Sequence, residues 1–499
     1  MPKNINWRSP RVATITTLLA ISIIGISLGI VVSKFSFEVP LILVLGIIVF
    51  ILTLVNTEAG LAILIFSMLL SPEIIVGEVP GRDIVIRIDD LLLIIITFAW
   101  MAKTAINKGL ALFIKTPLNK AIGIYVMVCV IATVKGILLG YVVPEKGILY
   151  TIRYIEYFLL FILVVNHIHT RKQVKFFLGA FFITCAIVSV YGLIQIPQGI
   201  RVSAPFEGTS GEPNTFGGYL LFIFCLALGI SLKKVPRNLK FALAGLIILI
   251  TFPFLYTLSR ASYMAIIFSF LTFILFSKRK LALITVMLTL AVSVLLIRPE
   301  AVISRVEYTF KFEDESLAKV GNVYLDYSSS ARIFSWLDSF NTWKKHPILG
   351  RGITGSAFID GQYIRLLPEV GIIGFFAFLW LLWTVYKNSL GIYKQMDDNL
   401  YKGLTLGFIA GFIGLAVHAL TANTFILIRV MEPFWFIAGI IMMLPKLKEE
   451  EEIEIERIEE EEKKEEKKKM KEEEEEEKKE EEEKGEEEEG IGGGWHWDY

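Results

Sequence analysis

"LKFALAGLIILITFPFLYTLSRASYMAIIFSFLTFILFS", residues 239–277, is apolar throughout except near its middle, where Ser259, Arg260, Ala261 and Ser262 interrupt it. A helix needs about twenty apolar residues to cross a hydrocarbon core of about 30 Å. The stretch therefore reads as two spans, 239–257 and 262–277, joined by a four-residue break. An arginine at the centre of a span costs roughly 2.5–3.5 kcal/mol on insertion scales, so the break leaves Arg260 at the membrane boundary.

The rest of the 499-residue chain, 54% hydrophobic, reads the same way. Apolar stretches lie near 11–33, 39–56, 58–76, 88–106, 119–140, 147–166, 174–195, 214–232, 281–298, 367–386, 403–420 and 426–445. With the two spans above, the fold class is an all-α polytopic membrane protein of about 12–14 transmembrane helices. Every second connector should then be basic. Lys103, Lys108, Lys115 and Lys120 share one side with Arg171, Lys172 and Lys175, with Lys233, Lys234, Arg237 and Lys240, and with Lys278, Arg279 and Lys280. Lys3, Arg8 and Arg11 fall on that side too. The reading is a multi-pass plasma-membrane protein with both termini cytoplasmic and the first apolar stretch retained as a span.

Fifty Lys+Arg balance fifty Asp+Glu, but the charges crowd into connectors and into the C-terminal block. The domain reading is a membrane domain over 1–446 and a Glu/Lys-rich, low-complexity cytoplasmic tail over 447–499, too poor in apolar residues to form a core. Cys129, Cys185 and Cys225 sit in apolar runs without CxxC spacing and read as small buried residues. The chain has no P-loop, no GxGxxG after a strand and no HExxH, which argues against a nucleotide-driven pump. Nothing points to a nucleic-acid partner, a cofactor or a metal; membrane lipids surround the body.

Three polar segments fall on the predicted external face: the loop near 197–218, the break at Arg260, and a large loop of about 299–366 with short amphipathic helices. In the large loop, Ile333, Trp336, Leu337, Phe340 and Trp343 recur at helical spacing, with the serines before Arg332 as an N-cap. That helix either lies flat at the membrane interface or packs on the loop itself. Arg260 reads as an interfacial turn residue or as an anion site, since a guanidinium pairs with phosphate in bidentate fashion. Arg201 stands in a Gly/Pro-rich loop leading to Asn214, which would cap the next helix and turn its N–H groups toward an anion. Arg365 and Glu369, four residues apart, fit a charge pair. Arg153 and Glu156 fit another, and His418 reads as a packed histidine or a cavity residue. Asp89 and Asp90 read as the N-terminal acids of a helix.

Four stretches in order, "GEPNTFGGYL" from 211, "LYTLSRASYMAI" at 255–266, "ARIFSWLDSFNTWKKHPILGRG" at 331–352 and "DGQYIRLLPEVGIIGFFAF" at 360–378, resemble the O-antigen ligase and O-antigen polymerase family. The resemblance implies a metal-independent membrane glycan ligase or polymerase. Such an enzyme moves a saccharide from a polyprenyl-diphosphate carrier, the lipid-linked oligosaccharide donor, to a glycan or glycolipid acceptor outside the cell. In that picture Arg260, with Arg201, Arg332 and Arg365, holds the diphosphate, and Asn214, Glu369 and His418 contact the substrates. The chain departs from the family in one place. Where the family has His before Asn, nine residues ahead of the glutamate matched by Glu369, it has Asp360 and Gly361, so Asp360 is the expected base, with His418 and His346 as spare histidines. A flippase or other transporter is the alternative reading, for which internal repeats and broken helices near the midplane are expected, and no repeat is evident. A metal-using glycosyltransferase with Asp89 and Asp90 as ligands is a third.

Overall fold

The computed structural model describes residues 38–79, 82–106, 114–207, 211–277, most of 280–288, and 317–491 except 321 and 322. The span expected at 11–33 lies outside the described residues, as do most of 281–298 and the first part of the large loop. Among the described residues eight helices are long and apolar enough to cross a membrane, with shorter apolar helices beside them. The chain is an all-α polytopic membrane protein.

Its helices are α1 (Glu38–Val55), α2 (Thr57–Leu70), α3 (Ile88–Ile106), α4 (Asn119–Leu138), α5 (Pro144–His167) and α6 (Arg171–Gln195). There follow α7 (Pro213–Ser231), α8 (Arg237–Tyr256), α9 (Arg260–Phe276), α10 (Tyr327–Lys345), α11 (Gln362–Gln395), α12 (Asn399–His418) and α13 (Ile428–Ile491). Two antiparallel hairpins accompany them, β1 (Glu73–Val79) with β2 (Arg82–Arg87) and β3 (Lys319–Val320) with β4 (Val323–Tyr324). The chain divides into two compact units between Met442 and Met443. The second is Glu/Lys helix with ion pairs one turn apart, such as Lys468 with Glu472.

Helix α7 runs through the centre of the first unit with nearly every residue buried, as a helix that is apolar all round must be. Glycines bring it against α12: a Cβ on Gly407 would stand 2.5 Å from the Cys225 carbonyl oxygen, and one on Gly403 would stand 2.7 Å from the Ile230 Cα. Without a hydrophobic force between helices in lipid, such close backbone approach is a main source of attraction. Ser269 of α9 adds a hydrogen bond to the Ala410 carbonyl at 3.0 Å.

Helix α11 is broken near its start. Pro368 offers no N–H, and Gly371 has φ +67°, a region that only glycine enters freely. The broken ends are not left bare. Arg351 and Gly352 donate their amides to the Pro368 and Glu369 carbonyls at 2.8 Å each, and Ile372 and Ile373 donate to those of Pro347 and Ile348. Lys135 and Thr133 of α4 hold the same segment from behind through the Gly350 carbonyl and the Ile353 amide. "HPILGRG" at 346–352 is thus a backbone plug in a helix break, which pairs the backbone groups that the break would leave open.

Basic residues of the connectors cluster at one end of the unit, where Arg171 pairs with Asp398 at 2.5 Å and Lys233 donates to the Tyr393 hydroxyl. At the opposite end stand the starts of α5, α7, α9, α11 and α13.

Three local expectations are corrected. Helix α7 starts at Pro213, whose fixed φ suits a first helical position, so Asn214 lies inside the helix and does not cap it. Helix α10 starts earlier than expected because Asp326 is its cap, leaving the serines before Arg332 in the first turns. Asp89 and Asp90 stand in the first turn of α3 as expected, and Asp89 is also paired with Arg87 at 2.5 Å. Arg153 lies over the Tyr150 ring and, among the described residues, forms no ion pair with Glu156.

Substituting Gly407→Leu should push α7 and α12 apart and destabilise the protein by about 1–3 kcal/mol or more, the usual cost of overpacking. Thermal unfolding in detergent reads this as a lower midpoint.

Candidate functional site

The break at residues 257–260 is a strained corner. Leu258 has φ +50°, unusual for a bulky residue, and Ser259 caps α9 by accepting the Ser262 amide. Arg201 secures the corner from the neighbouring loop, donating from Nε to the Thr257 carbonyl at 3.1 Å and from Nη2 to that of Leu258 at 3.3 Å. The corner thereby presents Arg260 as the first residue of α9.

Arg260 forms an ion pair with Asp326, whose side chain is 1% exposed. Asp326 also accepts the Ser329 amide at 2.7 Å and so caps α10. One turn on, Arg332 Nε donates to Asp360 Oδ2 at 3.3 Å, and Trp336 Nε1 donates to the Asp360 carbonyl at 2.6 Å. The next residue, Gly361, has φ +109°, and a Cβ there would stand 3.0 Å from the Leu420 carbonyl oxygen and 3.2 Å from Trp336 Nε1. A glycine after Asp360 is what this turn requires.

These contacts enclose a cavity of about 280 Å³ lined by Arg201, Asn214, Leu258, Arg260, Ser329 and Arg332, among others. Three helices, α7, α9 and α10, point their N-termini at it. Each terminus carries roughly half a positive charge, so the cavity combines three guanidiniums with three favourable dipoles. A second cavity of about 220 Å³, lined by Asp360, Phe358, Glu212 and Asn423, adjoins it through Asn214. The arrangement suits a ligand with a strongly anionic part beside a polar part that faces a carboxylate.

The remaining predicted residues lie outside both cavities. Arg365 and Glu369 form a buried pair at 3.0 Å, each 3% exposed, with the guanidinium over the Phe358 ring, behind the wall of the Asp360 cavity. His418 is fully buried, its Nδ1 2.8 Å from the Thr424 hydroxyl oxygen. His346 ends α10 and packs near the Tyr141 ring. Asp326, Ser329, Glu212 and Leu258 were not foreseen. Of these only Asp326, three residues ahead of Ser329 at the start of a helical pattern, had a readable signal, that of an N-cap. Residues 150, 153, 154 and 157 also share one face of α5 at i, i+3, i+4, i+7 spacing, a pattern open to a reader of "YTIRYIEY".

Residues 244–379 match the family model described as O-antigen ligase. Over that stretch, about a quarter of the chain, the protein is similar to the O-antigen ligase family. No curated protein matches it. The matched stretch runs from α8 into α11 and so includes Arg260, Arg332 and Asp360, as well as the helix break and its plug. Arg201, Asn214 and His418 come from outside it.

Burial alone would raise the Asp326 carboxyl, but the hydrogen bonds from Arg260 and the Ser329 amide outweigh it and hold the group below its ordinary 3.8. The folded carboxyl binds a proton less readily than the unfolded one. Its stabilisation is therefore full above that ordinary value and is lost as pH falls through the folded one. The gap in unfolding midpoint between wild type and Asp326→Asn should be constant above about pH 5 and close on further acidification. For the buried pair, Arg365→Met alone should cost about 3–5 kcal/mol by stranding Glu369, and adding Glu369→Leu should restore most of it, read by the same unfolding measurement.

Proposed function

We propose that the protein transfers a saccharide from a polyprenyl-diphosphate carrier to an acceptor hydroxyl on the external face of the membrane. A stretch similar to the O-antigen ligase family within a multi-pass body supports a membrane glycan ligase or polymerase of polysaccharide assembly. The observation that carries the finer reading is the convergence of Arg201, Arg260 and Arg332 with three helix N-termini on one cavity next to Asp360. The basic connectors gather at the opposite end, so the positive-inside rule puts this end outside and both termini within the cytoplasm.

The proposed reaction is a substitution at the anomeric carbon, which the arrangement of charges supports. The acceptor oxygen forms a bond to the anomeric carbon of the donor sugar, and the bond from that carbon to the phosphate oxygen breaks. The electron pair leaves with the diphosphate, where fixed cations stabilise the charge as it develops. The acceptor proton passes to Asp360, held in place by Arg332 and Trp336. Arg260, fixed by Asp326, contacts the diphosphate. Arg201 and Arg332 share that task, so the guanidiniums supply charge that a divalent metal supplies elsewhere. Arg365, Glu369 and His418 then shape the site from behind, and Asn214 stands between the two cavities.

Purified protein given a polyprenyl-diphosphate-linked oligosaccharide should form new glycosidic bonds in excess chelator. Arg260→Ala should slow transfer by about tenfold to a hundredfold, the worth of one charge-assisted contact. Asp360→Asn should lower kcat by about a hundredfold or more, as expected for loss of a general base. Transfer by Arg260→Ala at the wild-type rate would sink the assignment.

A further inference from the structure

Beyond the Asp360 cavity, on the side away from the arginines, lies a hollow of about 40 Å³ between the outer part of α5 and the starts of α7 and α13. It shares Glu212, Thr215 and Leu427 with the Asp360 cavity and no lining residue with the arginine cavity. The three spaces thus run in a row: arginines, Asp360, hollow.

The hollow is lined by donors without acceptors. Tyr150 and Tyr154 are 6% and 5% exposed, and neither hydroxyl has a hydrogen-bond partner. Arg153 Nη2 is likewise buried and without one. Such groups are uncommon in folded proteins and call for an explanation. The other two arginines of the wall are committed to the protein. Arg87 holds Asp89 and the Met68 carbonyl, and Arg429 holds the carbonyls of Leu69 and Pro205 beside Glu207. Among the described residues Arg153 has no carboxylate at ion-pair distance, and its neighbour Glu156 has a buried Oε1 without a hydrogen-bond partner.

An N–H donor of a guanidinium and two phenols ask for an anionic acceptor, and the space sets its size. One water needs about 10–15 Å³ of such volume, so 40 Å³ admits about three atoms of that size. A carboxylate fits and a sugar ring does not. The ring has room next door, in the 220 Å³ that Asp360 faces. Glu212 stands at the junction, its Oε2 accepting the Thr215 hydroxyl at 2.7 Å. A carboxylate there repels an anion and accepts sugar hydroxyls, so it directs the acid group past itself toward Arg153.

We propose that this hollow is the acceptor subsite and takes the carboxylate of a hexuronate whose ring lies in the Asp360 cavity. The inference rests on the glycosyl-transfer reading and names the class of acceptor: an acidic, uronate-containing glycan.

Binding tests it independently of turnover. Full-length protein in lipid nanodiscs is titrated by calorimetry with a glucuronate-containing disaccharide and with the same disaccharide reduced at the carboxyl group. Wild type should bind the acid about tenfold more tightly, the range of a charge-assisted contact. Arg153→Gln should abolish that preference, and Tyr154→Phe, which removes one oxygen and leaves the packing intact, should reduce it about two- to threefold. Arg260→Ala, in the other cavity, should keep it. Equal binding of acid and neutral sugars by wild type, or an undiminished preference in both folded Arg153→Gln and Tyr154→Phe, overturns the subsite. A preference that follows Arg153 in a protein that forms no glycosidic bond from a diphosphate donor leaves the carboxylate site standing and defeats the transfer reading instead.

Discussion

Asp326 accepts the Arg260 guanidinium and the Ser329 amide together, so the loop helix α10 can begin only where the arginine of the membrane body stands. Everything that reaches the candidate site from the loop is set by that start. Arg332 lies on α10 at a fixed rise from the cap, Arg332 takes Asp360, and Trp336 one turn later takes the Asp360 backbone. A carboxylate buried to 1% exposure between a cation and a helix terminus has both of its oxygens partnered, which is what makes its burial tolerable.

The same contacts explain how three guanidiniums occupy one cavity. Like charges close together in a poor dielectric repel strongly, and a protein that gathers them must answer them. Here each is answered differently: Arg260 by Asp326, Arg332 by the half-exposed Asp360, and Arg201 by the carbonyls of a strained corner. The last of these ties the positive φ of Leu258 to function, because that conformation directs the Thr257 and Leu258 carbonyls to the Arg201 side chain. Strain of this kind persists where surrounding structure over-determines it.

Much of this was legible in the sequence. Apolar runs of membrane length and their basic connectors gave the polytopic body, because hydrocarbon thickness imposes a strict length and charge pattern. The break at Arg260 and the arginines at 201 and 332 stood out for the same reason. Which charges meet was less readable. Arg365 and Glu369 pair as their spacing suggested, but on the far side of Phe358 from the cavity, and spacing says nothing of which way a pair faces. Asp326 and Arg260 are sixty-six positions apart, and no local pattern links them. Asn214 failed as a cap because Pro213 already fixed the helix start, a local rule that outranks the preference for Asn.

The plug at 346–352 bears on how the protein is made. A helix broken at Pro368 and Gly371 enters the membrane with carbonyls and amides that its own turns cannot satisfy, and hydrocarbon offers them no water. The residues that satisfy them are synthesised before α11, so they have already left the ribosome when the break emerges. The order of the chain thus supplies the partner before the need, and insertion of α11 completes a backbone joint whose other half is waiting.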